Sequence, residues 1–459
     1  MKLHIFEALA AYKKSRPARF HMPGHKANRR GFPLLKDAAL DVTELSFSDS
    51  LECPNGIIAS AQEDIAGILG AKYSYILTDG ATAGVYAMLY AVRRQGGKVA
   101  IARSSHKSVY NACALLGVEP YILQNNERDG VLLPPGPADV EAALAREPRI
   151  TAVLLTSPDY YGNTADLAAV RKVCDRYGRL LLVDGAHGAY LKFDPDLAAE
   201  YAGGYADMWV DGSHKTMPTL TQGALLNVSD ERLRRSAEEG LDLFRTTSPS
   251  YLVMASVEYG VKYFAERGAA LTDTVKRELA FVRARLSKRG LSCYEGSKTL
   301  VLAVDFGGAG IAPKAAYEAL ERRGVYAELY DGRYVLFYLS PLTTAGNIAR
   351  MERAVRAVAR TKALRGSYAV AAELPPPGER KFSFLAASAM PYEELPPLQA
   401  VGRVCARNAG VTPPCYPVAV AGEQLTAQAA ELLASAKHTF GLHEGKVAVL
   451  NIGGRKGRA

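Results

Sequence analysis

Residues 179–188 read RLLLVDGAHG and residues 206–216 read ADMWVDGSHKT. Each is a short apolar run that breaks at an aspartate and a glycine, the pattern of a buried strand ending in a polar turn. In the first run Asp184 closes the strand. In the second Lys215 follows Ser213 and His214. A lysine amine can form a Schiff base with a cofactor aldehyde when its neighbours hold a phosphate and a carboxylate keeps a pyridine nitrogen protonated. Ser213 and His214 are candidates for the first task and Asp184 for the second, so the pair of stretches suggests a pyridoxal phosphate site. Taken alone, Lys215 reads equally as one of many solvated loop lysines.

Outward from these stretches the same rhythm repeats. YSYILTDG (73–80), KVAIARSSH (98–106), EPYILQNN (119–126) and ITAVLLTSP (150–158) are further apolar runs with polar or glycine ends, and TQGALLNV (221–228) adds another. Between several of them lie segments of helical period, TAGVYAMLYAVRRQG (82–96) and DLAAVRKVCDRYG (166–178). The alternation predicts an α/β fold with a mostly parallel sheet, covering helices, and a binding crevice beyond the carboxyl ends of the strands. We divide the chain into an N-terminal segment (1–50), a large domain (51–290), a small α/β domain (291–375) and a C-terminal α+β domain (376–459). The small domain is read from a long helix over 254–290 that leads to TLVLAVDF (299–306), a helix over 314–323 and YVLFYLS (334–340). The Pro-rich ELPPPGER (373–380) marks the last boundary. PPLQAVGRVC, TPPCYPVAVAGE and KVAVLNI belong to the C-terminal region, and no internal repeat is visible.

Composition narrows the function classes. With 459 residues, 48% hydrophobic and 22% charged, the chain reads as a soluble globular protein. No apolar run approaches the roughly 20 residues that span a bilayer, and MKLHIFEALAAYKKSRPARF reads as a short amphipathic helix and not a signal peptide. Six cysteines without a CxxC pair argue against a zinc site or a disulfide framework and for the cytoplasm. The net charge of +9 is dispersed among acidic neighbours, so neither nucleic acid nor a membrane is an expected partner. His21 and His25 are separated by Pro23 and Gly24, which oppose the helix that would align them, so no metal is expected. FGGAGIAP (306–313) reads as a plain loop, and the basic, glycine-rich tail after Ile452 as mobile chain.

An ordered set of motifs carries a resemblance over nearly the whole chain: MPGHK (22–26), DVTEL (41–45), TDGATAG (78–84), RSSHKS (103–108), DGAH (184–187), SHKT (213–216), TSPSY (247–251) and PPCYPVAVAGE (413–423). It resembles the fold type I pyridoxal phosphate decarboxylases of ornithine, lysine and arginine, in the short bacterial form with no response-regulator-like domain ahead of MPGHK. The resemblance implies an aspartate aminotransferase-like fold, pyridoxal 5'-phosphate as cofactor, decarboxylation of arginine, lysine or ornithine to agmatine or a diamine, and a place in polyamine biosynthesis. It also implies a homodimer, or an assembly of dimers, with shared sites.

Residue by residue, TDGATAG follows a strand and opens a helix, so amides around Gly80, Ala81 and Thr82 would face the phosphate. Ala81 stands where the family more often has a hydroxyl, which leaves Thr82 as the side-chain donor. By resemblance His106 stacks on the pyridine ring, Ala186 packs on its other face, and His187 sits near the reacting carbon. Either histidine also reads as a packing residue closing a strand. Thr247 and Ser248 resemble a segment that reaches the neighbouring subunit's phosphate. Asp49, Glu52 and Glu423 are candidates to receive a distal ammonium or guanidinium, with surface carboxylates the plain alternative. Gly185 departs from a common glutamate, Glu52 and Cys53 from residues that are more often histidine, and Cys415 from a common glycine. Two rival readings remain open: another fold type I enzyme, an aminotransferase or lyase with an arginine such as Arg333 on the carboxylate, and a non-enzymatic binding protein.

Overall fold

The computed structural model describes residues 1–19, 22–23, 25–27, 37–93, 96–366, 375–412 and 415–451. The N-terminal helix α1 (His4–Lys14) and helix α2 (Ile57–Leu69) precede a seven-stranded sheet. Its first members are β1 (Tyr73–Leu77), β2 (Lys98–Ala102) and β3 (Glu119–Leu123), with helices α3 (Gly80–Arg93) and α4 (Lys107–Leu116) between them. A small hairpin, β4 (Asn126–Arg128) and β5 (Val131–Leu133), and helix α5 (Pro137–Arg146) follow. The sheet continues with β6 (Ile150–Thr156), helix α6 (Leu167–Tyr177), β7 (Leu180–Gly185), β8 (Met208–Asp211), the single turn α7 (Ser213–Thr216) and β9 (Ala224–Val228).

The strand order is β1-β9-β8-β7-β6-β2-β3, and β9 alone runs antiparallel to its neighbours. This is the mostly parallel sheet expected from the sequence. Helices cover both faces, so the strands are buried on both sides and read as continuous Val/Ile/Leu runs without polar alternation. Close approach of α3 depends on Gly84, where a Cβ would stand 2.5 Å from Val210 Cγ1. The register sets Thr156 beside Asp184, and Asp184 beside Val210. The carboxyl ends of β1, β2, β6, β7 and β8 therefore open on one edge of the sheet.

Helix α8 (Arg234–Phe244) leads to the long helix α9 (Tyr251–Ser287). It begins before the expected residue 254 because Ser250 caps it, its Oγ accepting from Val253 N. A three-stranded antiparallel sheet follows, built from β10 (Val301–Asp305), β11 (Leu329–Tyr330) and β12 (Tyr334–Tyr338) and covered by α10 (Pro313–Glu321) and α11 (Ala345–Ala359). The C-terminal residues form two further three-stranded sheets, which include Pro417–Ala419 and Lys446–Leu450. They dock on the central sheet near β3, where the Glu119 carboxylate accepts from Phe384 N and Leu385 N at 2.8 and 2.9 Å. Of PPLQAVGRVC, only Pro397–Gln399 forms regular structure, a 3-10 turn. His21, Pro413, Pro414 and the tail from Ile452 lie outside the described residues. His25 Nε2 is 3.1 Å from Asp41 Oδ2. Among the described residues no helix is long and apolar enough to cross a membrane.

Candidate active site

A cavity of about 270 Å³ opens at the carboxyl edge of the sheet. Gly80, Ala81, Thr82, His106, Asp184, Ala186, His187, His214 and Lys215 all line it. Ser213 is not on its wall but precedes His214 and Lys215 in the chain and is fully buried.

Asp184 ends β7 and is 4% exposed, with its Oδ1 accepting from Ala186 N at 3.2 Å. Lys215 enters from the neighbouring strand through α7, and its Nζ lies 2.8 Å from His187 Nε2 and over the Tyr160 ring. Burial lowers the Lys215 pKa below that of an ordinary lysine, and the Asp184 charge opposes the shift. Burial, then the Lys215 charge, holds His187 well below the usual imidazole range. A neutral His187 that accepts from Lys215 at Nε2 carries its proton on Nδ1, and Nδ1 is buried without a hydrogen-bond partner. Tyr160 and Tyr338 pack against this imidazole with ring centroids 4.7 and 5.3 Å away, and against each other at 6.1 Å. His106 caps α4, its Nδ1 accepting from Ser108 N at 3.2 Å, and burial pushes its pKa down to about 4.

The same cavity carries groups suited to an anion. Gly80 opens α3 at φ +74°, the left-handed region that glycine enters without strain, and a Cβ there would meet nothing within 4 Å. Thr82 stands in the first turn of that helix, where amide N–H groups lack intrahelical partners, and the Gly80 N–H there donates to Gln222 O at 2.9 Å. Ser213 Oγ is buried and unpartnered, and so is Thr156 Oγ1 beside Asp184. His214 Nδ1 donates to Gly223 O at 2.9 Å. A buried lysine amine, a buried carboxylate, an anion cradle and orphaned hydroxyls together fit pyridoxal phosphate.

Glycines shape this pocket. A Cβ at Gly212 would lie 2.3 Å from Ala186 O, so only glycine lets β8 turn into α7 there. At Gly185 a Cβ would meet Val210 O at 2.9 Å and Asp211 Oδ1 at 3.5 Å, so this position is enclosed and offers no open room. Cys415 sits at φ +67°, a conformation that favours glycine, and its carbonyl accepts from Lys107 N at 2.7 Å, next to His106.

Other expected residues lie elsewhere. Glu423 is not on the cavity: its carboxylate is held by Arg103 and Arg380. Asp49 accepts N–H groups of Ser50, Asn55, Gly56 and Ile58, capping the start of α2. Glu52 and Thr247 line a second, smaller cavity of about 100 Å³, together with Arg245. Ser248 lines neither, and Arg333 is paired with Asp305 at 2.8 Å. Sequence reading missed Ser104, Thr156, Asp159, Tyr160, Tyr161 and Tyr416, which all line the main cavity. TSPDYYG follows a strand as RSSH does, and that shared position was the available signal.

The family model of the Orn/Lys/Arg decarboxylase major domain matches residues 4–298. The chain is 29% identical over 358 residues to the uncharacterized protein YaaO of Bacillus subtilis, covering 74% of each chain. It is 26% identical over 453 residues to an arginine decarboxylase of Bacillus cereus, covering 91% of this chain and 96% of that one. Among solved structures it is similar to the constitutive lysine decarboxylase of Escherichia coli, with a TM-score of 0.78 and 19% identity over 98% of this chain and 81% of the other.

Proposed function

We propose that the chain, which belongs to the Orn/Lys/Arg decarboxylase family and is a pyridoxal phosphate-dependent amino-acid decarboxylase, acts on a basic amino acid and releases agmatine or a diamine. Arginine stands ahead of lysine and ornithine, because the relative matched along 96% of its length is named an arginine decarboxylase. The observation that carries the reading is the convergence of Lys215, Asp184, His106 and Ala186 on one cavity.

When bound, the cofactor supplies an aldehyde for the amine and a cationic ring that takes up the electron pair left as carbon dioxide departs. Lys215 Nζ is the amine that would hold it, and burial favours the uncharged, nucleophilic form. Asp184 would keep the ring nitrogen protonated, and His106 and Ala186 would face the ring. Gly80, Thr82, Ser213 and His214 would receive the phosphate. His187 Nε2 and Lys215 Nζ, 2.8 Å apart, can pass a proton between them and deliver it to the α-carbon. The rival aminotransferase reading asks for an arginine on the substrate carboxylate, and among the described residues none lines the cavity.

A homodimer completes the proposal. Thr247 and Ser248 lie outside the cavity of their own chain, as expected of residues that serve a neighbouring copy, and Asp49, held by the start of α2, would shape its loop toward that copy. Product assays test the chemistry: carbon dioxide and amine should appear in equal amounts from arginine, lysine or ornithine. Lys215→Ala should lose the visible absorbance of the held cofactor and all turnover. Asp184→Asn should retain cofactor and lose about 100-fold or more in kcat. Full activity of Lys215→Ala, or a keto acid as product, would overturn the reading.

A further inference from the structure

We propose that Asp159 receives the distal cation of the substrate and so determines the preference for basic amino acids; this rests on the decarboxylase reading above. Two carboxylates line the cavity, Asp184 and Asp159. Asp184 is assigned to the cofactor above, which leaves Asp159. It follows β6, and Tyr160, Tyr161 and Leu132 line the same cavity. Aromatic and aliphatic walls that end in a carboxylate suit an alkyl chain that ends in a guanidinium or ammonium.

The Asp159 carboxylate is fixed without being used up. Its Oδ1 accepts from Tyr161 N and Asn163 N at 2.8 and 2.9 Å, and its Oδ2 accepts from Asn163 Nδ2 at 2.8 Å. A carboxylate offers about four acceptor sites, so capacity remains on Oδ2. Among the described residues it makes no ion pair. Every other acid expected at the substrate is engaged elsewhere: Glu423 with Arg103 and Arg380, Asp49 with the start of α2, and Glu52 on the second cavity.

A half-buried carboxylate with no cation of its own is costly to charge, and desolvation raises the Asp159 pKa to about 7. An incoming cation would relieve that cost, which makes the site selective for charge. The competing carboxylate is Glu328, whose charge reaches Lys215 but whose side chain is exposed and off the cavity wall. The plain alternative is that Asp159 only braces its loop. Asparagine at 159 would still accept the backbone N–H groups of Tyr161 and Asn163 at Oδ1 while it removes the charge and the bond from Asn163 Nδ2.

The experiment compares wild-type holoenzyme with Asp159→Asn and Glu328→Gln on arginine against citrulline and on lysine against norleucine, each pair differing in the distal charge. Dissociation constants for agmatine and pentylamine are measured by calorimetry on the same proteins. Asp159→Asn should reduce the preference for the charged member by about 10- to 100-fold, mainly through KM, and reduce the agmatine-to-pentylamine ratio likewise. Should Asp159→Asn lose the cofactor, Asp159→Ser is read in the same ratios. Equal losses on charged and neutral members would reduce Asp159 to a loop brace and overturn the proposal, as would a collapse of the ratios in Glu328→Gln alone. If no basic amino acid is decarboxylated by wild type, the functional reading fails, while the amine-binding ratios still decide the role of Asp159.

Discussion

Replacing Glu423 separates a structural carboxylate from a substrate-binding one. Arg103 Nη1 lies 2.6 and 2.5 Å from the two Glu423 oxygens, and Arg380 Nη2 lies 2.7 Å from Oε1. Arg103 is 2% exposed and Glu423 4%. The Arg380 side chain is 36% exposed, so its share is small. Glu423→Ala leaves the Arg103 guanidinium buried without a counter-ion, which costs about 3–5 kcal/mol. For a chain of 459 residues that is a fall in melting temperature of roughly 3–5 °C, read by calorimetry at saturating cofactor. Arg103 directly precedes the Ser104 and His106 wall of the cavity, so cofactor affinity should fall with stability. The double variant Arg103→Met with Glu423→Leu should recover most of the loss, because a buried pair replaced by apolar side chains is often neutral or better. A Glu423→Gln enzyme that melts as wild type yet shows a raised KM for basic substrates would refute this assignment and restore Glu423 as the substrate acid.

Two further outcomes can be checked directly. The His106 pKa is lowered from 6.5 to about 4, so its contribution to stability is present above pH 6.5 and is lost as the pH falls through 4. By linkage that contribution is about 3 kcal/mol, and unfolding free energies of wild-type and His106→Phe apoenzyme should diverge by that amount between pH 7 and 4; parallel curves would place His106 in water. If sites are shared across a dimer, mixing Lys215→Ala subunits with subunits altered at both Asp49 and Ser248 should give activity above either parent, since one site of each mixed dimer is then intact; a fully active monomer in sedimentation, assayed alongside, would exclude this.

Strand ends are legible in sequence because their signal is local. An apolar run followed by Asp-Gly projects a polar group at a sheet edge whatever its neighbours are, which points to Asp184 and to the turn that carries Lys215, while the role of His106 comes from the resemblance of RSSHKS to the family. What each polar group pairs with is not local. Lys215 and His187 meet only because β7 and β8 are adjacent. Glu423 finds its partner 320 residues away in Arg103, and no spacing rule in AVAGE shows that its charge is already neutralised. Asp49 looked available from sequence, yet the backbone N–H groups at the start of α2 claim it. Asp159 is the reverse case: TSPDYYG looks like an ordinary turn, and only the adjacency of β6 to β7 brings its carboxylate to the cavity. The chemistry of this chain therefore follows from which carboxylates the fold leaves without a cation. By that criterion Asp184 and Asp159 are the two of the cavity, the first proposed for the cofactor ring and the second for the distal cation of the substrate.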